Sequence, residues 1–326
     1  FDVTVNIGKD GNSPFGGTAG LIVWGRYQAE QAGTEIPVEQ ADRFQFEKVE
    51  VTAINVRIEK KDVYQLSGEI RFFEDDATYG DGFKGALTGK FQKFTVNASA
   101  MFGRTTTYRF WYADALVKIE SGVHLAPGLS AYSLGGGFYS SMKQAGAGDS
   151  PSGIKYVPEE YTLGLRAYVN YGSATKGAYD GDLNMEISMN RHGGINFIQL
   201  KGSTYFLVNP LEIGTELVKQ GALKAASKTE VALDKLSPRG QLSGHIDLHF
   251  DNINDVFHGN VEVFVNVVGG IVKGIGDGNK AGWAVLHFEK NDWYVLIGTP
   301  DQPIGLEVAR IFQARSYFMM GMNLPG

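Results

Sequence analysis

A strict alternation of apolar and polar residues is the feature of this sequence that most constrains its fold. In residues 242–250 ("LSGHIDLHF") the even positions hold apolar or small residues and the odd positions hold polar ones. Successive side chains of a β-strand point to opposite faces, whereas a helix repeats every 3.6 residues. The alternation therefore predicts a strand with one apolar and one polar face.

The same alternation recurs along most of the chain. "DLNMEISMN" and "INFIQLKGSTYFLV" flank the glycine-containing segment "RHGG", which predicts a hairpin, and "GWAVLHFEKNDWYVLIG" predicts two strands around Lys290–Asn291–Asp292. A content of 43 glycines and 12% aromatic residues also favours β structure with many tight turns. We therefore expect an all-β protein of antiparallel amphipathic strands.

Three architectures satisfy this pattern. Two sheets could pack as a sandwich, one sheet could curl into a groove around an apolar interior, or a barrel could turn its apolar face to lipid. One segment departs from the period of two: residues 211–227 ("LEIGTELVKQGALKAAS") place apolar or small residues at spacings of three and four. We expect one short helix there.

An internal similarity predicts that the chain contains two copies of one β unit. "QLSGEIRFFEDDATYGDGFKG" (65–85) aligns with "QLSGHIDLHFDNINDVFHG" (241–259), and the later pairs Trp111–Tyr112 and Trp293–Tyr294 keep the same order. Residues 142–160 are rich in Gly, Ser and Pro and are expected to form a boundary or a long loop. The first unit is predicted at 1–150 with its repeat core at 65–142. The second is predicted at 151–326 with its repeat core at 241–320.

Composition excludes several function classes. A net charge of −6 does not provide the basic excess that neutralises phosphates, so no nucleic-acid partner is expected. The absence of cysteine excludes disulfides and thiolate chemistry. There is no GxSxG motif, and no local set of Ser, His and carboxylate residues stands out. We therefore expect no catalytic residues, no cofactor and no enzymatic activity.

The histidines raise the question of a metal site. On the predicted strand, His245, Asp247 and His249 share the polar face, and His258 and His287 on later strands could join them. The aligned positions of the first copy hold Glu69, Arg71 and Phe73. Because that copy keeps no set of ligands, we expect histidines that face solvent and no bound transition metal.

An acidic connection in the first copy is the second candidate for a metal site. The segment "FEDDATYGDGFKG" contains Asp75, Asp76 and Asp81, and calcium prefers several oxygen ligands on a flexible loop. The spacing differs from that of an EF-hand. We expect a solvated acidic turn.

Two stretches resemble a known group of proteins. Residues 63–142 and 281–323, the latter including "WYVLIGTPDQPIGLEV" and "YFMMGMNLP", resemble segments of very large, uncharacterised β-rich proteins exported by Bacteroidota. The resemblance implies an envelope or extracellular location and carries no assigned activity.

These observations predict a non-enzymatic structural or binding repeat segment of a larger cell-envelope or extracellular assembly. Its partners are expected to be neighbouring repeats or other protein subunits. One alternative is a groove for apolar ligands or a membrane β-barrel that serves in transport. Another is a carbohydrate-binding module that uses Trp and Tyr side chains. An apolar interior would favour transport of apolar molecules, and exposed aromatic residues on the polar face would favour sugar binding.

Overall fold

The computed structural model describes residues 2–7, 15–28, 43–174, 178–207, 241–267 and 269–324. Nearly all of these residues lie in antiparallel β-strands, which confirms the predicted fold class. The helix predicted at 211–227 lies outside the described residues. In the parts of the chain that are described, no helix has the length and apolar character needed to cross a lipid bilayer.

Nineteen strands and one short 3-10 turn (Asp277–Asn279) make up the described structure. The strands are β1 (Asp2–Ile7), β2 (Phe15–Gln28), β3 (Arg43–Lys60), β4 (Tyr64–Asp76), β5 (Gly80–Phe91), β6 (Phe94–Arg104), β7 (Arg109–Ala126), β8 (Leu129–Ala147), β9 (Ile154–Gly172), β10 (Tyr179–Asn190), β11 (Ile195–Phe206), β12 (Leu242–Asp251), β13 (Val256–Val267), β14 (Val272–Gly274), β15 (Lys280–Glu289), β16 (Asp292–Ile297), β17 (Ile304–Val308), β18 (Phe312–Ser316) and β19 (Phe318–Met322).

The strands form an up-and-down meander. From β1 to β13 each strand pairs antiparallel with the next, and the main sheet continues through β15, β16 and β19. Strands β14, β17 and β18 form a small second sheet attached to β13. Within the described residues β1 and β19 do not pair with each other, so the sheet is open and is not closed into a barrel.

The strands predicted from the alternation are present. Strands β10 and β11 form the hairpin around Arg191–Gly194, and β15 and β16 meet at Lys290 and Asn291. The glycine-rich segment 269–282 contributes β14 to the small sheet. Its backbone donors and acceptors thereby find partners in β13 and β17.

The predicted unit boundary at 150/151 lies in the turn that joins β8 and β9. These two strands pair with each other, so the sheet continues across that position. Their ladder shifts register between Ser140 and Met142, where the strands bend, and there Ser141 and Tyr161 adopt positive φ angles of 49° and 66°. Beyond the bend, residues 142–158 form a two-stranded extension that we call the arm.

The largest cluster of buried apolar side chains lies where the arm meets strands β6 to β8. It consists of Met101, Phe110, Tyr112, Tyr139, Met142, Ile154 and Tyr156. Met142, Ile154 and Tyr156 belong to the arm, and the other four belong to strands β6, β7 and β8. The core therefore lies between the arm and the sheet face that the arm covers.

Candidate functional site

One face of the main sheet is apolar across almost its whole width. A single row of directly opposed residues runs from β3 to β19 through Ile54, Ile70, Gly85, Ala100, Ala113, Phe138, Leu165, Ile187, Ile198, Phe250, Phe257, Phe288, Trp293 and Met322. Much of this face is exposed: Phe138 keeps 56% of its surface accessible, and Leu87, two positions from Gly85, keeps 47%. The face is a continuous exposed apolar surface.

Aromatic side chains border this apolar face. Four of them are direct cross-strand partners on β4 to β7, with ring centroids 5.3–6.4 Å apart: Phe72, Phe83, Phe102 and Trp111. An equivalent set occupies β12, β13, β15 and β16: Phe250, Phe257, Phe288 and Trp293. A similar row of aromatic partners thus occurs in each of the two predicted repeat cores. Superposition of the complete repeats stays a prediction.

A second aromatic border lies on the same face toward the opposite ends of the strands. On β4, β5 and β6 it is formed by Tyr64, Phe91 and Phe94, and the rings of Phe91 and Phe94 stack with centroids 4.6 Å apart. Each lies eight positions from the aromatic residue of the first border on its own strand. The residues between the two borders are aliphatic residues, alanine or glycine, so the apolar face has a defined height.

The opposite face is polar and is the more buried of the two. A row of direct cross-strand partners on this face contains Ser99, Asp114, Gly137, Arg166, Glu186, Gln199, His249, His258 and His287. Asp114 and Arg166 keep only 2% and 3% of their surface accessible. Buried charges are costly unless they are paired, so this face must satisfy them locally.

Asp114 is the centre of the most buried polar network. Its carboxylate accepts hydrogen bonds from the Tyr156 hydroxyl (3.0 Å) and the Ser152 backbone N–H (2.9 Å), and it lies 3.9 Å from the Arg166 guanidinium. Burial and the adjacent Asp114 charge raise the pKa of Tyr156, so this phenol stays protonated and donates. Burial and Glu186, which accepts from the Tyr139 hydroxyl at 2.6 Å, likewise raise the pKa of Tyr139.

Polar atoms on this face also remain without a protein partner. Among the described residues, the Gln144 amide nitrogen, Arg166 Nε and the Asn184 side-chain oxygen are buried and make no hydrogen bond within the protein. Buried polar atoms of this kind are normally satisfied by water. The polar face is therefore suited to a hydrated environment.

The histidines predicted as possible ligands are separated into two groups. His245 is 4% exposed, and its Nδ1 lies 2.8 Å from the Ser203 hydroxyl. His249 is the direct cross-strand partner of His258, which in turn opposes His287 with ring centroids 5.9 Å apart. In the described part of the chain no three His, Asp or Glu side chains, Asp247 included, are arranged to hold a metal ion. The rings of His258 and His287 meet edge to face at an interplanar angle of 64°.

The carboxylates of the acidic connection stabilise the turn between β4 and β5. Asp76 accepts backbone hydrogen bonds from Thr78 and Tyr79, both at 2.8 Å. Asp81 accepts from the backbone N–H of Asp75 at 3.0 Å and pairs with Arg104 at 3.2 Å. The Asp75 hydrogen bond and then Arg104 lower the pKa of Asp81. These contacts match an acidic turn that is stabilised within the protein.

Sequence reasoning missed the network around Asp114. The sequence signal for this network is a charged residue, Asp114, at the centre of the long strand segment "FWYADALVK". The alternation is equally compatible with an Asp114 that is exposed to solvent, so it does not predict that this residue is buried. Only the fold of the arm over this position buries it. Comparison with known proteins adds no further guidance: no protein-family model, curated protein or solved structure matches this chain.

Proposed function

We propose that this chain forms a lipid-facing β-sheet of a membrane of the cell envelope, in which the polar face borders an aqueous path for solutes. The open edges of the sheet would pair with strands of other protein subunits, because unpaired backbone groups are not tolerated in lipid. The sheet would serve in transport across the membrane and would perform no chemistry. The observation that carries the proposal is the inverted burial of the strands: polar side chains such as Asp114 are buried, whereas apolar ones such as Phe138 are exposed.

In water this arrangement is unfavourable. Each half-exposed large aliphatic or aromatic side chain forgoes part of the roughly 1.5–3 kcal/mol that full burial provides. Soluble proteins rarely expose a contiguous apolar patch larger than a few hundred Å². The apolar face here extends over most strands of the main sheet, and contact with lipid would remove this surface from water.

The spacing of the aromatic borders supports the same environment. Eight residues of an antiparallel strand span about 27 Å. In a strand tilted by about 40°, this corresponds to about 21 Å across the membrane, close to the roughly 25 Å apolar band of membrane-spanning sheets. Phe72 and Tyr64 would then lie at the two lipid–water interfaces, where aromatic side chains are enriched.

We prefer this function to the structural repeat unit favoured by the sequence. Repeats that join through their sheet edges would leave the apolar face in water. A sugar-binding module would place its row of aromatic residues on the polar face, whereas the two rows of Phe and Trp lie on the apolar face. Solutes that pass along the polar face would be hydrophilic.

A pair of adjacent substitutions tests the proposal. Leu87 lies between the aromatic borders on the apolar face, and Ala86 lies beside it on the polar face; both are exposed. We expect Leu87→Arg to destabilise the protein in phospholipid vesicles by about 2–4 kcal/mol, because a charge near the bilayer centre must leave water. Ala86→Arg, next to Glu69, should have little effect.

The measurement is urea-dependent folding into vesicles of phosphatidylcholine and phosphatidylglycerol, monitored by flotation of the folded protein with the vesicles. If the unaltered chain folds without vesicles and does not float with them, the proposal is wrong. Equal effects of the two substitutions would also contradict it, since both sites are equally accessible in a water-soluble sheet.

A further inference from the structure

The arm does not extend away from the sheet. The bend at Ser141 and Tyr161 directs residues 142–158 over the polar face of β5 to β8. Met142, Ile154 and Tyr156 of the arm are 0–2% exposed against that face. Positive φ angles at two non-glycine residues are unfavourable by themselves, so contacts of the arm must stabilise the bend.

Three anchors hold the arm in this position. Asp114 of β7 binds both the Tyr156 hydroxyl and the Ser152 N–H of the arm. The Tyr79 hydroxyl, from the turn before β5, donates to the Tyr156 carbonyl oxygen at 2.9 Å. Lys84 of β5 forms an ion pair with Asp149 near the tip of the arm. Contacts from one turn and two strands together fix the position of the arm.

The other surface of the arm faces away from the sheet and carries charge. Strand alternation places Lys155 opposite to its buried neighbours Ile154 and Tyr156, and Lys155 is exposed. Lys143, also exposed, is paired with Glu159 at 2.6 Å. No ion pair involves Lys155 among the described residues.

We infer that the arm is a constriction built into the aqueous path, and that Lys155 is a charge that faces the passing solute and favours anions. This inference rests on the proposed transport function. An arm that lies flat on the polar face occupies space that the sheet would otherwise leave to water. A cation at the narrowest point attracts anions and repels cations, because its field acts at short range where water is scarce.

The chain has no cysteine, so a single introduced thiol gives a specific test. Lys155→Cys is incorporated into a planar phospholipid bilayer, and single-channel conductance is recorded before and after a bulky anionic methanethiosulfonate reagent is added. Lys61→Cys, in the exposed turn between β3 and β4, is the matched control. The reversal potential in a potassium chloride gradient is recorded for both variants and for Lys155→Glu.

We expect modification of Cys at 155 to cause a stepwise loss of conductance, and modification at 61 to cause none. Lys155→Glu should shift the reversal potential toward that of potassium. Unchanged conductance and unchanged selectivity in a protein that inserts and conducts would overturn the role of the arm and leave the transport function standing. A protein that neither floats with vesicles nor conducts would instead refute the transport function itself.

Discussion

At the scale of single residues, one glycine makes room for the Asp114 network. Gly137 lies on the polar face directly between Asp114 and Arg166. A Cβ atom there would lie 2.9 Å from the Tyr156 hydroxyl oxygen and 3.2 Å from Asp114 Oδ2. The absence of a side chain at this position therefore allows the arm to approach the sheet.

Gly137→Ala is expected to lower the free energy of unfolding by about 1–3 kcal/mol, the usual cost of forcing an extra methyl group into a packed site. Gly282→Ala is the matched control, because a Cβ at this strand position meets no atom within 4 Å. The comparison is made by urea unfolding of the vesicle-bound protein. A loss of equal size in both variants would show that Gly137 matters only as a flexible residue.

The environment of His249 makes its imidazolium more acidic. Burial lowers its pKa below the ordinary 6.5, with a smaller contribution in the same direction from Lys201 and His258, while Asp251 and Asp247 oppose the shift. The folded state therefore binds this proton less readily than the unfolded state does. Stability is complete above pH 6.5 and decreases as the pH falls from there to the folded-state pKa.

We expect His249→Gln to reduce the loss of stability between pH 7 and pH 5, measured by urea unfolding at each pH. His192→Gln, in the exposed turn between β10 and β11, is the control and should keep the pH dependence of the unaltered protein. An identical pH dependence in all three proteins would mean that His249 is as accessible to protons in the folded state as in the unfolded state.

At the scale of elements, the period of two was sufficient to locate strands. The segment 242–250 coincides with β12, and the predicted hairpin of β10 and β11 forms around the expected turn. The arm could not be predicted in the same way, because its Gly, Ser and Pro content indicates a loop. Its strand structure depends on Met142 and Ile154, which become buried only when the bend brings them against β6 and β7.

The candidate ligands show the same limit. Alternation correctly placed His245 and His249 on one polar face, but it could not determine which cross-strand neighbours they meet. Register with β11 and β13 assigns Ser203 to the first and His258 to the second. Ser203 lies 42 residues from His245 in the sequence, so local patterns contain little information about this contact.

At the scale of the whole molecule, alternation defines two faces but does not say which one is inside. A soluble sandwich would place Ile246 and Val263 in its apolar interior. In the structure, their face is the more exposed one, and Val263 keeps 36% of its surface accessible. The opposite, polar face of these strands is the more buried one, and Ser243, His245 and Glu262 are 2–7% exposed there.

Depth measurements on single-tryptophan variants test this orientation across the molecule. Trp111 and Trp293 lie in the corresponding aromatic rows of the apolar face, whereas Trp283 lies on the polar face opposite Glu262, and its indole N–H donates to the Gln302 carbonyl at 3.1 Å. Each variant keeps one tryptophan and has phenylalanine at the other three positions.

Brominated phospholipids quench tryptophan fluorescence only at short range, so bromines placed at different depths report the position of each indole. We expect Trp111 and Trp293 to be quenched most by bromines near the headgroups, because both would lie at an interface of the bilayer. Trp283 should be quenched little at any depth and should remain accessible to iodide in water. Strong quenching of Trp283 with protection of Trp111 would mean that the polar face contacts lipid, which would reverse the proposed orientation of the sheet.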